Sequence, residues 1–101
     1  MKIYEVRLSN AAYADMDELR KFLYAMLSEE SAIQYANNMR AEIKMLAMYA
    51  DCYGHSTSKS LRMIHPKARR MISHNRRWIY IYHIENPFVI VDRIIPAKMN
   101  K

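Results

Sequence analysis

The 101-residue sequence predicts one α+β domain. Three observations carry that expectation. Apolar residues recur at helical spacing through residues 12–50, apolar and polar residues alternate with period two in residues 3–8, and three strand-like runs rich in β-branched and aromatic residues follow Pro66. A helix pair set between one strand and three implies a helix hairpin packed on one face of a mostly antiparallel sheet.

The first strand is Ile3-Tyr4-Glu5-Val6-Arg7-Leu8. Ser9 or Asn10 then caps a helix, because a short side-chain oxygen can accept from the free N–H groups of the first turn. The apolar seam of that helix is Ala12, Met16, Leu19, Leu23 and Met26, with Asp15, Asp17 and Glu18 in the early turns where the helix dipole favours negative charge. Ser28 caps a second helix that opens with Glu29 and Glu30. Its seam runs through Ala32, Tyr35/Ala36, Met39, Ile43, Leu46 and Ala50. Its roughly 22 residues span about 33 Å, and the hairpin covers residues 10–50. Gly54, the sole glycine, marks its end. Residues 55–66 read as a loop with a short strand near Leu61–Ile64, and Pro66 disfavours helix at His65. The closing strands are expected at about 68–74, 77–85 and 87–95, with turns at Asn75-Arg76 and Asn86-Pro87.

Composition narrows the function. One glycine and three prolines exclude a disordered linker, a collagen-like chain and a turn-rich sandwich. A single cysteine, Cys52, excludes an internal disulfide and a cysteine-based zinc site, and fits a reducing compartment. No uncharged apolar run approaches the roughly 20 residues of a membrane helix, and residues 1–5 lack the apolar stretch of a signal peptide. A cytoplasmic protein without a membrane anchor is expected. The net charge of +6 is uneven. Residues 1–60 hold seven Lys/Arg against eight Asp/Glu, whereas residues 61–101 hold nine against two. Such asymmetry suits a polyanionic partner.

Conventional catalytic motifs are absent. The histidines stand nine or ten residues apart and share no helical face with a carboxylate pair, so no metal site is expected. One glycine excludes a phosphate-binding loop, and no cofactor is expected. Cys52 with His55 is the one nucleophile–base pair near in sequence, a weak pattern. Trp78, Tyr80, Tyr82 and Ile84 share one strand face, opposite Arg77, Ile79, Ile81, His83 and Glu85. Either set can be core; the aromatic set is the better choice because the largest side chains need burial. Facing solvent, it could stack bases beside Arg76 and Arg77. The helical methionines (Met16, Met26, Met39, Met45, Met48) read as core and helix surface, or as an adaptable groove for a partner segment. There remain Lys67, Arg69, Arg70, Arg76, Arg77, Arg93 and Lys98. Guanidinium forks hold phosphates bidentately and stabilise negative charge as a phosphodiester is attacked. Cleavage of RNA also needs a base and an acid, which His65, His74, His83 or the lysines could supply.

The arrangement resembles the RelE/ParE superfamily of bacterial toxins over nearly the whole chain. Residues Ile3 to Ala12 look like its opening strand and small-residue helix start, and Asp15-Met16-Asp17-Glu18-Leu19 like its acidic first helix. Ala32 with Tyr35-Ala36 is similar to its second-helix opening. Arg70-Met71-Ile72 and Trp78 to Ile84 resemble its arginine-bearing and tyrosine-ending strands, and Val89 to Ile95 its closing strand. The resemblance implies a helix hairpin on a sheet, completed by a three-stranded antiparallel meander. It implies a cognate antitoxin as partner and one of two targets: messenger RNA cut on the ribosome by RelE-like members, or DNA gyrase blocked without catalysis by ParE-like members. The density of basic groups favours ribosome-dependent RNA cleavage. On that reading Arg70 holds the scissile phosphate, Lys67 and Lys98 are candidate base and acid, and Arg69, Arg76, Arg77 and Arg93 bind nucleic acid with them. Two departures favour the gyrase alternative. Ile79 stands where ribonucleases of the family often carry arginine, and Pro96 to Lys101 lacks their terminal tyrosine or histidine. A third reading is a non-catalytic interaction module built on the methionine-lined helices.

Overall fold

The computed structural model describes residues 3–54 and 58–97. Strand β1 (Glu5–Leu8) leads into α1 (Asn10–Met26) and α2 (Glu29–Tyr49), and a 3₁₀ turn (Ala50–Cys52) follows. Then come α3 (Lys59–Ile64), β2 (Arg69–Ile72), β3 (Trp78–Glu85) and β4 (Phe88–Pro96). The sheet order is β1-β4-β3-β2. The meander is antiparallel, and β1 joins it parallel to β4.

Local chemistry accounts for the helix bounds. Ser9 caps α1, its Oγ accepting from the Ala12 N–H at 3.1 Å, and Ser28 caps α2 by accepting from Ser31 at 3.2 Å. The α1 seam is buried from Ala12 to Leu23, but Met26 is exposed. Gly54 does not end α2, since no glycine here adopts a positive φ. The helix tightens into the 3₁₀ turn instead, and other groups take its last carbonyls. The Tyr82 hydroxyl donates to the Ala50 oxygen at 2.6 Å, and the Arg69 guanidinium donates to the Tyr53 oxygen at 2.7 Å.

Strand β3 is covered on both faces. Tyr80 and Tyr82 lie in the main core with Met16, Leu23, Met39, Leu46, Val89 and Val91, and Trp78 and Ile84 pack at its margin. The aromatic set therefore faces α1 and α2. Ile79 and Ile81 form a second cluster with Leu61 and Ala68, backed by Ile95 and Ala97. This corrects the expectation for Leu61–Ile64, which is the helix α3 and not a strand. The β-like residues are there because Leu61 has to cover the far sheet face.

A bulge in β4 sets the geometry of its second half. Ile81 pairs with Arg93 but Tyr82 with Val91, so the pairing skips Asp92. Beyond that point β1 has ended, and β4 would present an unpaired edge. Asp15 on α1 closes it: its carboxylate accepts the Ile94 N–H at 2.9 Å and grips Arg93 through Nε at 2.8 Å and Nη2 at 3.1 Å.

Burial raises the ionisation of Tyr80 and Tyr82 above the ordinary tyrosine range. The Glu42 carboxylate adds to the effect on Tyr80, while Arg69 offsets part of it on Tyr82. In the unfolded chain both ionise near pH 10. Above that pH the unfolded state releases protons the folded state keeps, so stability is whole below about pH 10 and falls as pH rises. Urea midpoints measured from pH 8 to 11 should show this fall, and the Tyr80→Phe/Tyr82→Phe variant should fall less steeply.

Candidate functional site

The β2–β3 hairpin tip is built by short-range bonds. Ser73 N–H donates to the Trp78 oxygen and Arg76 N–H to the Ser73 oxygen, each at 2.9 Å. The Asn75 carboxamide oxygen accepts from Ser73 Oγ at 2.7 Å and from Arg77 N–H at 3.0 Å. Arg76 takes a left-handed conformation, φ 61°, which costs a non-glycine residue roughly 1–2 kcal/mol. The α2 helix then fixes the tip in space. Glu42 accepts the His74 N–H at 2.7 Å, and the Tyr35 hydroxyl accepts from Asn75 at 2.8 Å and from the Trp78 indole at 2.9 Å.

This frame holds Arg76 and Arg77 exposed at the tip. Arg70 and His74 join Arg76 around an open cleft of about 580 Å³ floored by Ile72, Ile79 and Ala97. Among the described residues, Arg70, Arg76 and Arg77 pair with no carboxylate. Uncompensated guanidinium groups crowded at one edge make a site for an anionic partner.

The other candidates do not join them. Arg69 alternates with Arg70, so it lies on the helix side beside Tyr82, its guanidinium turned to the carbonyls at the end of α2. A cation there suits the negative end of the helix. Arg93 is held by Asp15, and that carboxylate keeps its guanidinium protonated to still higher pH. Lys67 lies exposed in the turn before β2, at the strand end opposite the tip, where its N–H donates to His65 Nδ1 at 3.0 Å. Lys98 and His55 fall outside the described residues.

One cluster was invisible in the sequence. The His65 and His83 rings stack at 3.6 Å with 3° between their planes. His83 is buried, with Nδ1 2.7 Å from Asp92 and Nε2 3.1 Å from Glu85. The bulge that turns Asp92 toward His83 has no sequence signal. The described residues contain no group of three ligands able to hold a metal. Ile79, at the position where ribonucleases of the family often carry arginine, is buried in the second apolar cluster with Leu61, Ala68 and Ile81.

Arg69 and Arg70 should separate structure from surface. Arg69→Ala should cost about 1.5–3 kcal/mol, the loss expected when hydrogen bonds to a charged group are removed from half-buried carbonyls. Arg70→Ala should stay within about 0.5 kcal/mol of the parent. Urea denaturation of the two variants checks both figures.

No protein-family model and no curated protein matches this sequence. Among solved structures, a chain of the chromosomal ParDE TA (toxin–antitoxin) system from P. aeruginosa superposes with a TM-score of 0.78 at 15% identity, over 94% of this chain and 97% of that one. The N-terminal strand, the helix pair and the closing meander agree with the architecture the sequence led us to expect. This chain has an α+β fold that it shares along nearly its whole length with a chain of a chromosomal ParDE system.

Proposed function

We propose that the chain is the toxin component of a ParDE-type toxin–antitoxin pair, held inactive by a cognate antitoxin and acting, when released, as a ParE-like inhibitor of DNA gyrase. The observation that carries this reading is the end-to-end fold match to a ParDE chain. Two features of the site support the non-catalytic form of toxicity. Ile79 is buried in the second apolar cluster and leaves no charged group at its place on β3 to hold a scissile phosphate. The buried His83 has both ring nitrogens bonded to carboxylates and offers neither to a substrate.

A second reading, ribosome-dependent cleavage of messenger RNA, draws on one observation. His74 lines the same cleft as Arg70 and Arg76, an imidazole in one cleft with two guanidinium groups. The two readings part in one experiment. The chain is expressed alone and with the product of the adjoining gene. On the gyrase reading growth stops, messenger RNA stays intact, DNA-damage signalling rises, and the neighbour relieves all three effects. New in-frame cuts in messenger RNA that vanish in His74→Ala would reverse the choice. Arg76→Ala/Arg77→Ala should lower toxicity at unchanged stability, read as colony counts alongside urea midpoints.

A further inference from the structure

A second groove adjoins the first at the hairpin tip, and the toxin reading uses the arginines at its rim but not its aromatic lining. Phe22 of α1, Trp78, Pro96 and Ala97 line it, with Arg76 and Arg77 at its rim, and it encloses about 530 Å³. Phe22 is 57% exposed although it is a large aromatic on a helix whose other face is core. The Trp78 ring is half-buried and fixed by its bond to Tyr35. Two aromatic side chains beside two uncompensated arginines are the components of a stacking site for an unpaired base with its phosphates. Arg76 also borders the neighbouring cleft that holds Arg70 and His74. The cationic track therefore continues from Arg77 over Arg76 to Arg70.

We propose that this groove binds an unpaired nucleotide of a nucleic-acid strand, the base against Phe22 and Trp78 and the flanking phosphates on Arg77, Arg76 and Arg70. The backbone leaves over the arginine end, because beyond Phe22 the carboxylates are already paired, Asp15 with Arg93 and Glu18 with Lys21, and the lining there offers phosphate no uncompensated cation. Duplex DNA fits poorly, because its bases are stacked on each other and are not free to lie against the two rings. The left-handed Arg76 agrees with this role. Glycine or asparagine would fold that turn with less strain, and arginine adds only a displayed charge.

Trp78 is the only tryptophan in the chain; it lines this groove and also the neighbouring pocket with Asp15 and Glu18, so quenching is assigned to the groove by the Arg76 variant, because the Arg76 side chain borders the groove and not that pocket. The purified full-length chain is titrated with a single-stranded DNA oligomer, a single-stranded RNA oligomer and a duplex of equal length. Saturable quenching by a single strand is expected, with the duplex weaker. Whichever single strand quenches at lower concentration names the natural source. Phe22→Ala should weaken binding about 5- to 150-fold, the effect of removing one stacking partner. Phe22→Leu, which keeps the apolar bulk, should do the same. Arg76→Gly should melt no lower than the parent, while its affinity depends less on salt, the log–log slope shrinking by about 0.7 for each phosphate no longer neutralised. Quenching by neither single strand, equal quenching by duplex, or parental affinity in both Phe22 variants would overturn the proposal. The assay uses no cells and no gyrase, so its outcome is independent of how the toxicity experiment falls.

Discussion

Strand β3 is apolar on both faces, and most of the architecture follows from that. A strand carrying Tyr80 and Tyr82 on one side and Ile79 and Ile81 on the other cannot face water on either. The hairpin of α1 and α2 covers the tyrosines. The isoleucines need a second cover, and in a chain this short it comes from the linker between α2 and β2, which folds into α3 and places Leu61 over them. Burial of that kind is worth about 1.5–3 kcal/mol per large side chain, ample reason for six residues of linker to become helix.

The sheet's own edges are managed by single groups. At the β4 edge one carboxylate, Asp15, does two things at once. It accepts a backbone N–H that β1 is too short to reach, and it neutralises the arginine next to it. Ser9, the N-cap of α1, works on the same margin at the very start of the helix. Its Oγ caps the helix and donates to the Asp92 oxygen at 2.8 Å, while its N–H reaches the Val91 oxygen at 2.9 Å. The start of α1 is thus stitched to the bulge in β4, which explains why the bulge and the helix start sit at one height.

Much of the fold was legible because it rests on periodicity. The steps of four and three that mark Ala32, Ala36, Met39, Ile43 and Leu46 are the buried face of α2, and Ser9 and Ser28 cap where their side chains allow. The errors have physical causes. Leu61–Ile64 contains too few residues for a helical period to show, and only the uncovered face of β3 makes it a helix. Met26 continues the α1 seam in sequence, but the hairpin turn at Leu27 and Ser28 carries it off the core. The candidate site was legible in part. Charge counting located Arg70, Arg76 and Arg77, yet it could not tell them from Arg69 and Arg93. Those two are distinguished by strand parity against a helix end and by a carboxylate 78 residues away. The stacked His65 and His83 depend on a skipped residue in β4, which leaves no mark in the sequence.

The hairpin tip divides its residues by role. Ser73, Asn75 and Trp78 turn inward and are tied to each other or to Tyr35, and the His74 backbone is tied to Glu42. The side chains of Arg76 and Arg77 turn outward and hold nothing in place. The bracket beneath them keeps its shape for any side chain that leaves both backbone N–H groups free to donate and, at 76, accepts the left-handed turn. Such a platform can change what it displays without being rebuilt. A lineage of such chains could exchange one target for another through two outward positions, with the inward lattice left intact.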